Sequence, residues 1–154
     1  MQLQVVAHCL LNPHTRVKGL GPLDFKPEPP LIQLPCPEAL YLGLDRWAVT
    51  RNQLDVPEFR RFCKSLIVQY ADMIELLASK EASIGIVGAA GSPSCGVLTT
   101  SVGYQGGRVR EASHEHVPGM GVFMEELTGE LKRRGVSFNC QESRDESGNI
   151  SATI

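Results

Sequence analysis

A chain of 154 residues, 42% of them hydrophobic, has the size of one domain and enough apolar material for a core without disulfide staples. Its formal charge of -2 argues against a dedicated binder of polyanions, and no apolar run reaches the length of a membrane span. Five cysteines, an odd number, and no basic leader before the first apolar run point to a reducing cytoplasm, and to thiols or metal ligands over disulfides.

Gln2 to Ala7 carries strand-like apolar residues and stops at His8-Cys9. Leu10 to Gly21 is a loop by its Asn12-Pro13 and Gly19, with Arg16 and Lys18 bringing positive charge near Cys9. A proline-rich connector, Pro22 to Pro30, leads to a second short strand, Leu31 to Leu34, which ends at Pro35-Cys36-Pro37-Glu38. The stretch from Ala39 to Leu54, with the single tryptophan at Trp47, shows no clear period. Asp55 offers an N-cap and Glu58 a capping-box partner for a long amphipathic helix over Pro57 to Ser79. Phe59, Phe62, Cys63, Leu66, Ile67, Tyr70, Ile74 and Leu77 follow helical spacing and mark its apolar face.

Ser83 to Gly88 is an uncharged, β-branched run that stops at Ala89-Ala90-Gly91-Ser92-Pro93-Ser94-Cys95-Gly96, a buried strand followed by a tight loop. Thr99 to Arg110 reads as an exposed extended excursion, and His114 and His116 as solvated residues of a polar loop. A second helix is expected over Gly121 to Arg134, stopped by Gly135, then a last strand over Val136 to Cys140 and a polar, partly disordered tail after Gln141.

Strands separated by helices predict an α/β fold: one Rossmann-like domain over residues 1–154, with a mostly parallel sheet and helices on its faces in three layers. Ligands of such sheets collect outside the carboxyl ends of the strands. Cys9, Cys36 and Cys95 each follow a strand closely, so three distant thiols are expected to converge on one edge. Three thiolates without an obvious fourth suit an iron–sulfur cluster with one iron open. Zinc stays an alternative, with His8 or His14 completing three sulfurs. So does a closed, four-thiolate cluster with Cys140, which would make an electron carrier, sensor or cluster donor. The glycine-rich stretches lack both the Gly-Lys-Ser/Thr of a phosphate loop and the third glycine of a dinucleotide fingerprint.

The words around these cysteines carry a resemblance. Cys9-Leu10-Leu11 followed by Arg16-Val17-Lys18-Gly19, then Cys36-Pro37-Glu38 with Gly43-Leu44, then Ser92-Pro93-Ser94-Cys95-Gly96, in this order, resemble the DUF523 family, which includes the thiouracil desulfurases. The resemblance covers residues 3–107. It implies a [4Fe–4S] cluster held by Cys9, Cys36 and Cys95, whose open iron takes the sulfur of a thiocarbonyl base, a free base, a thiolated nucleoside or tRNA. This chain has Asn12 where the family's first motif has glycine, and Val17-Lys18 where it has Tyr-Asp.

The expected reaction is a hydrolytic, non-redox conversion of C=S to C=O. Glu38, two residues after a ligand, is the candidate general base, and Ser92 the candidate proton relay or ring holder. Both are also catalytic candidates by the resemblance. Arg16 and Ser94 are the candidate substrate-binding residues. Each has an ordinary competitor: capping for Glu38, turn formation for Ser92, a surface ion pair for Arg16. Cys63, on the apolar stripe of the first long helix, is expected to be core.

Overall fold

Four of the apolar runs become the strands of one sheet. The computed structural model describes residues 1–106 and 114–144. In it β1 (Gln2–Val6) lies between β2 (Leu31–Gln33) and β3 (Ser83–Ala89), and β6 (Phe138–Ser143) flanks β3. The order is β2-β1-β3-β6 and every pair is parallel, so this is an α/β fold of the Rossmann-like, three-layer kind. β3 is buried from Ile84 onward, as a central strand covered on both faces must be.

Helix α3 (Pro57–Ala78) buries Phe59, Cys63, Ile67, Ala71 and Ile74, one residue per turn along one stripe. Each large side chain so buried contributes roughly 1.5–3 kcal/mol before entropy is counted. Helix α4 (Val122–Arg133) buries Val122, Phe123, Met124, Leu127 and Leu131 and packs against α3. Both helices belong to connections that step across the sheet in the same direction, and right-handed crossovers then place them on the same face. The β1–β2 connection steps the other way and holds no α-helix, only two 3-10 turns, His8–Leu10 and Pro13–Thr15. It reaches the far edge of the sheet before returning: Asp24 N–H donates to the Arg144 carbonyl (2.6 Å), the Ser143 hydroxyl donates to the Asp24 carbonyl, and Leu23 is buried in the core. The third layer is this extended strap.

Several local expectations are corrected. The N-cap of α3 is Val56, with no side-chain cap. Asp55 instead closes the short helix α2 (Arg51–Leu54) and pairs with Arg51 and Arg60. The reciprocal cap belongs to α2, where Thr50 N–H donates to Gln53 Oε1 at 2.8 Å. Helix α1 (Pro37–Leu42) occupies part of the aperiodic stretch. Thr99 does not begin an exposed excursion: β4 (Thr99–Val102) pairs antiparallel with β5 (Glu115–Pro118), and Thr100 and Ser101 are buried. His116 thus lies on a strand opposite Ser101, and residues 107–110 of the expected excursion fall outside the described residues. The last strand runs three residues farther than expected, to Ser143, because β3 supplies partners that far; the tail beyond residue 144 lies outside the described residues. No helix among the described residues is long and apolar enough to cross a membrane.

Candidate functional site

The register levels the carboxyl ends of β1 and β2, and β3 runs two residues farther. Val6 of β1 stands beside Gln33 of β2 and Val87 of β3, and the ladder runs one step farther through Ala7 N–H to the Val87 carbonyl (3.0 Å) and Leu34 N–H to the Val6 carbonyl (2.8 Å). Cys9 follows in the first 3-10 turn, Cys36 three residues after β2, and Cys95 six residues after β3. All three line one cavity of about 80 Å³ beyond that edge. Cys95 is buried, and Cys9 and Cys36 are half-buried.

Each cysteine is held differently. Cys36 is the N-cap of α1, its Sγ accepting the Ala39 N–H at 3.4 Å. The Cys95 carbonyl accepts the Ala89 N–H (3.1 Å), which folds the loop back onto its own strand. Gly88 permits this approach, since a Cβ there would stand 2.4 Å from that carbonyl oxygen. The same loop receives the start of α4: Val122 N–H donates to the Pro93 carbonyl (3.0 Å) and Met124 N–H to the Ser94 carbonyl (3.1 Å).

The thiols feel one another. Burial first, and then a charge on Cys36, pushes Cys9 up to about 12. Cys95 is driven well above its ordinary value, first by burial and then by Cys36 and Cys9. Burial also raises Cys36. Once a metal deprotonates them, thiols gathered in one cavity become soft sulfur donors, and such donors select soft, thiophilic metals, so the donor set fits an iron–sulfur cluster as it would fit zinc. Small neighbours, Ala89, Ala90 and Ser92, line the same cavity. Among the described residues, no three His, Cys, Asp or Glu side chains converge as ligands of a single ion.

Glu38 lies in the first turn of α1, 5% exposed, on the cavity wall. Its Oε2 accepts the Ser94 hydroxyl at 2.6 Å and its Oε1 accepts Arg46 Nε–H at 3.3 Å. Arg46, equally buried, also donates to the Thr15 carbonyl (2.7 Å) and the Gly43 carbonyl (3.1 Å). No motif marks Arg46; only the turn after α1, which brings it back over Glu38, makes it part of the site. Ser94 therefore orients Glu38 with the hydroxyl that sequence reasoning assigns to substrate, and it is 1% exposed. Ser92 Oγ accepts the Cys95 N–H at 3.0 Å and lies 3.4 Å from Ser94 Oγ. Ser92 thus holds the turn and also extends a hydroxyl chain to Glu38. Arg16 lines the cavity and opposes the rise in the Cys9 pKa, and it also donates to the Gly21 carbonyl.

The remaining candidates stand elsewhere. Cys140 is opposite Ile86, midway along the edge strand β6 and short of its end, and does not line the cavity. Ending β6 three residues later than expected is what withdraws it. Cys63 is fully buried on α3, as expected. The ring nitrogens of His8 are engaged, Nδ1 with the Leu34 carbonyl (3.0 Å) and Nε2 with Asn12 Nδ2 (3.3 Å), and His14 does not line the cavity.

The uncharacterized protein MJ0003 of Methanocaldococcus jannaschii is 28% identical over 107 residues, covering 63% of this chain and 69% of its own. No family model matches the chain. No solved structure matches it. The cavity itself brings together three soft donors, one buried carboxylate held by Ser94 and Arg46, and Arg16.

Proposed function

We propose that this chain is a cytoplasmic [4Fe–4S]-dependent desulfurase-like enzyme, akin to the thiouracil desulfurases that its motifs resemble, acting on a thiolated pyrimidine or related thiocarbonyl compound. The observation that carries the reading is the cavity shared by Cys9, Cys36, Cys95 and the Ser94-bound Glu38. Cys9, Cys36 and Cys95 would hold the cluster. When bound, it supplies a thiophilic iron that takes the substrate sulfur and leaves the ring carbon open to attack.

The chain's own groups supply the rest. Glu38 removes a proton from the attacking water, and its two fixed partners keep the carboxylate aimed at one point of the cavity. Ser94 and Ser92 offer a route by which that proton leaves. Arg16 attracts an anionic group of the substrate, and the apolar part of the wall, Val17, Leu20 and Val49, excludes water from the ring. Water enters, C=S becomes C=O, sulfur departs as sulfide, and no electron is gained or lost.

Anaerobic purification with iron and acid-labile sulfide analysis, followed by incubation with 2-thiouracil, 4-thiouridine and thiolated tRNA, tests this. The expected result is iron and sulfide in the protein, with oxo product and free sulfide formed in equal amounts without an electron acceptor. Zinc without labile sulfide, or a loaded protein that turns over none of the three, overturns it.

A further inference from the structure

Glu142 lies near the end of β6, outside every motif of the site. Its Oε1 accepts three consecutive backbone N–H groups, Val97 (3.0 Å), Leu98 (2.6 Å) and Thr99 (2.6 Å). Its Oε2 accepts the Thr99 hydroxyl at 2.9 Å, and the same Thr99 Oγ1 accepts the Gly91 N–H at 2.9 Å. One carboxylate therefore gathers the chain just after Cys95 and, through Thr99, the chain just before Ser92. Those are the two ends of the loop that carries the third cysteine.

Loop backbone must find partners for its N–H groups, and amides 97–99 find theirs in a charged acceptor, which binds more strongly than a neutral one. The β6–β3 register places Glu142 opposite Gly88, the residue against which the Cys95 carbonyl rests. Residues 97–99 are thus anchored to β6 at the point where the loop folds back. A surface carboxylate that merely ends a strand has no reason to collect four donors from one loop.

We infer that Glu142 is the positioning residue of the cysteine loop, a clamp that holds both ends of residues 91–99 so that the Cys95 thiol faces the cavity. The inference rests on the proposed function only in taking Cys95 for a ligand; the clamp itself is a property of the chain. It assigns to the segment after Gly107 a task in the site.

The test uses the full-length chain and two readouts. In metal-free protein, the alkylation rate of each cysteine is followed by mass spectrometry. Glu142→Ala and Thr99→Val are expected to raise labelling of Cys95 about tenfold, with Glu142→Gln between them and wild type, because one lost hydrogen bond to a charged group corresponds to roughly tenfold or more in an opening equilibrium. Labelling of Cys63, buried in the core, is expected to stay unchanged. In protein reconstituted with iron and sulfide, the same variants are expected to bind less than half the wild-type iron. Cys95 labelling equal to wild type in both Glu142→Ala and Thr99→Val overturns the clamp, as does a parallel rise at Cys63, which would report general loosening. Wild-type chain that takes up no iron overturns the cluster reading, and the labelling arm then decides the clamp alone.

Discussion

Ser94 and Glu38, 56 residues apart in sequence, meet through a 2.6 Å hydrogen bond in which the hydroxyl donates to a carboxylate that Arg46 holds from the other side. Capping alone would leave that carboxylate at the helix end in water. Burial between a fixed donor and a fixed cation instead defines where it points, as a base needs. Glu38→Gln keeps the shape and removes the base. Turnover of the thiocarbonyl substrate should fall by about 10²–10⁴, while iron and sulfide per chain stay at wild-type levels. Equal turnover in the variant would make Glu38 a structural residue.

Arg46 is the partner through which this arrangement is held. Removing one member of a buried ion pair strands the other's charge, at a cost of roughly 3–5 kcal/mol. Arg46→Met should therefore lower the unfolding free energy by about that amount in urea melts. The same change at Arg133, which pairs with Glu130 at an exposed site, should cost less than about 1 kcal/mol. Similar losses at both positions would contradict the buried reading of the Glu38–Arg46 pair.

The cysteines separate into three classes by place. Cys9, Cys36 and Cys95 line the cavity, Cys63 is core, and Cys140 is midway along the edge strand β6. Replacing any of the first three by serine should reduce bound iron at least about tenfold, since even the groups behind a metal ligand are commonly worth tenfold. Cys140→Ser should leave iron per chain unchanged. A fall in the Cys140 variant would restore the four-thiolate reading.

Much of this was legible because strands and long helices are written as periods. The Ser83–Ala89 run, the α3 stripe and the Gly135 stop follow from local chemistry, and with strand order they predict that the cysteines meet. The rest depends on encounters that no period encodes. Helix α1 has six residues and a thiol for its cap, too short and too unusual for a pattern. Asp55 looks like a cap, yet two arginines from the helices around it claim its carboxylate. The Thr50-Gln53 spacing was the true signal there. Arg46 and Glu142 gain their roles from backbone carbonyls and amides brought to them by the fold, which side-chain chemistry alone does not announce.

Two glycines of one helix region should respond in opposite directions to alanine. At Gly121 a Cβ would stand 2.4 Å from the Ser94 carbonyl carbon and 2.8 Å from its Cα, so α4 and the cysteine loop must part. Gly121→Ala should destabilise by about 1–3 kcal/mol and lower iron uptake with it. At Gly129, inside α4, the nearest atom is the flexible end of Arg133 at 3.6 Å. Gly129→Ala should stabilise by about 0.5–1 kcal/mol. Thermal melts of the two variants check both signs, and a Gly121 variant as stable as wild type would show that the loop does not rest on this helix.

Asp55 sets an acid limit on stability. The hydrogen bond from Arg60 holds its carboxyl below the usual range, against some desolvation, and Arg51 adds to the effect. The folded chain thus binds this proton less readily than the unfolded chain, and acid favours unfolding. The contribution is fully present above the unfolded carboxyl value, about 3.9, and is lost as pH falls through the lower, folded value. Urea midpoints should decline from pH 5 toward pH 3 by rough order of one titrating group, and Asp55→Asn should flatten that decline while lowering the midpoint at pH 6. Because the pair is half-exposed, added salt should shrink the difference between the two proteins. An Asp55→Asn chain whose midpoint falls with acid as steeply as wild type would assign the acid limit to other carboxylates, with Glu130, held down by Arg134 and Arg133, the next to replace.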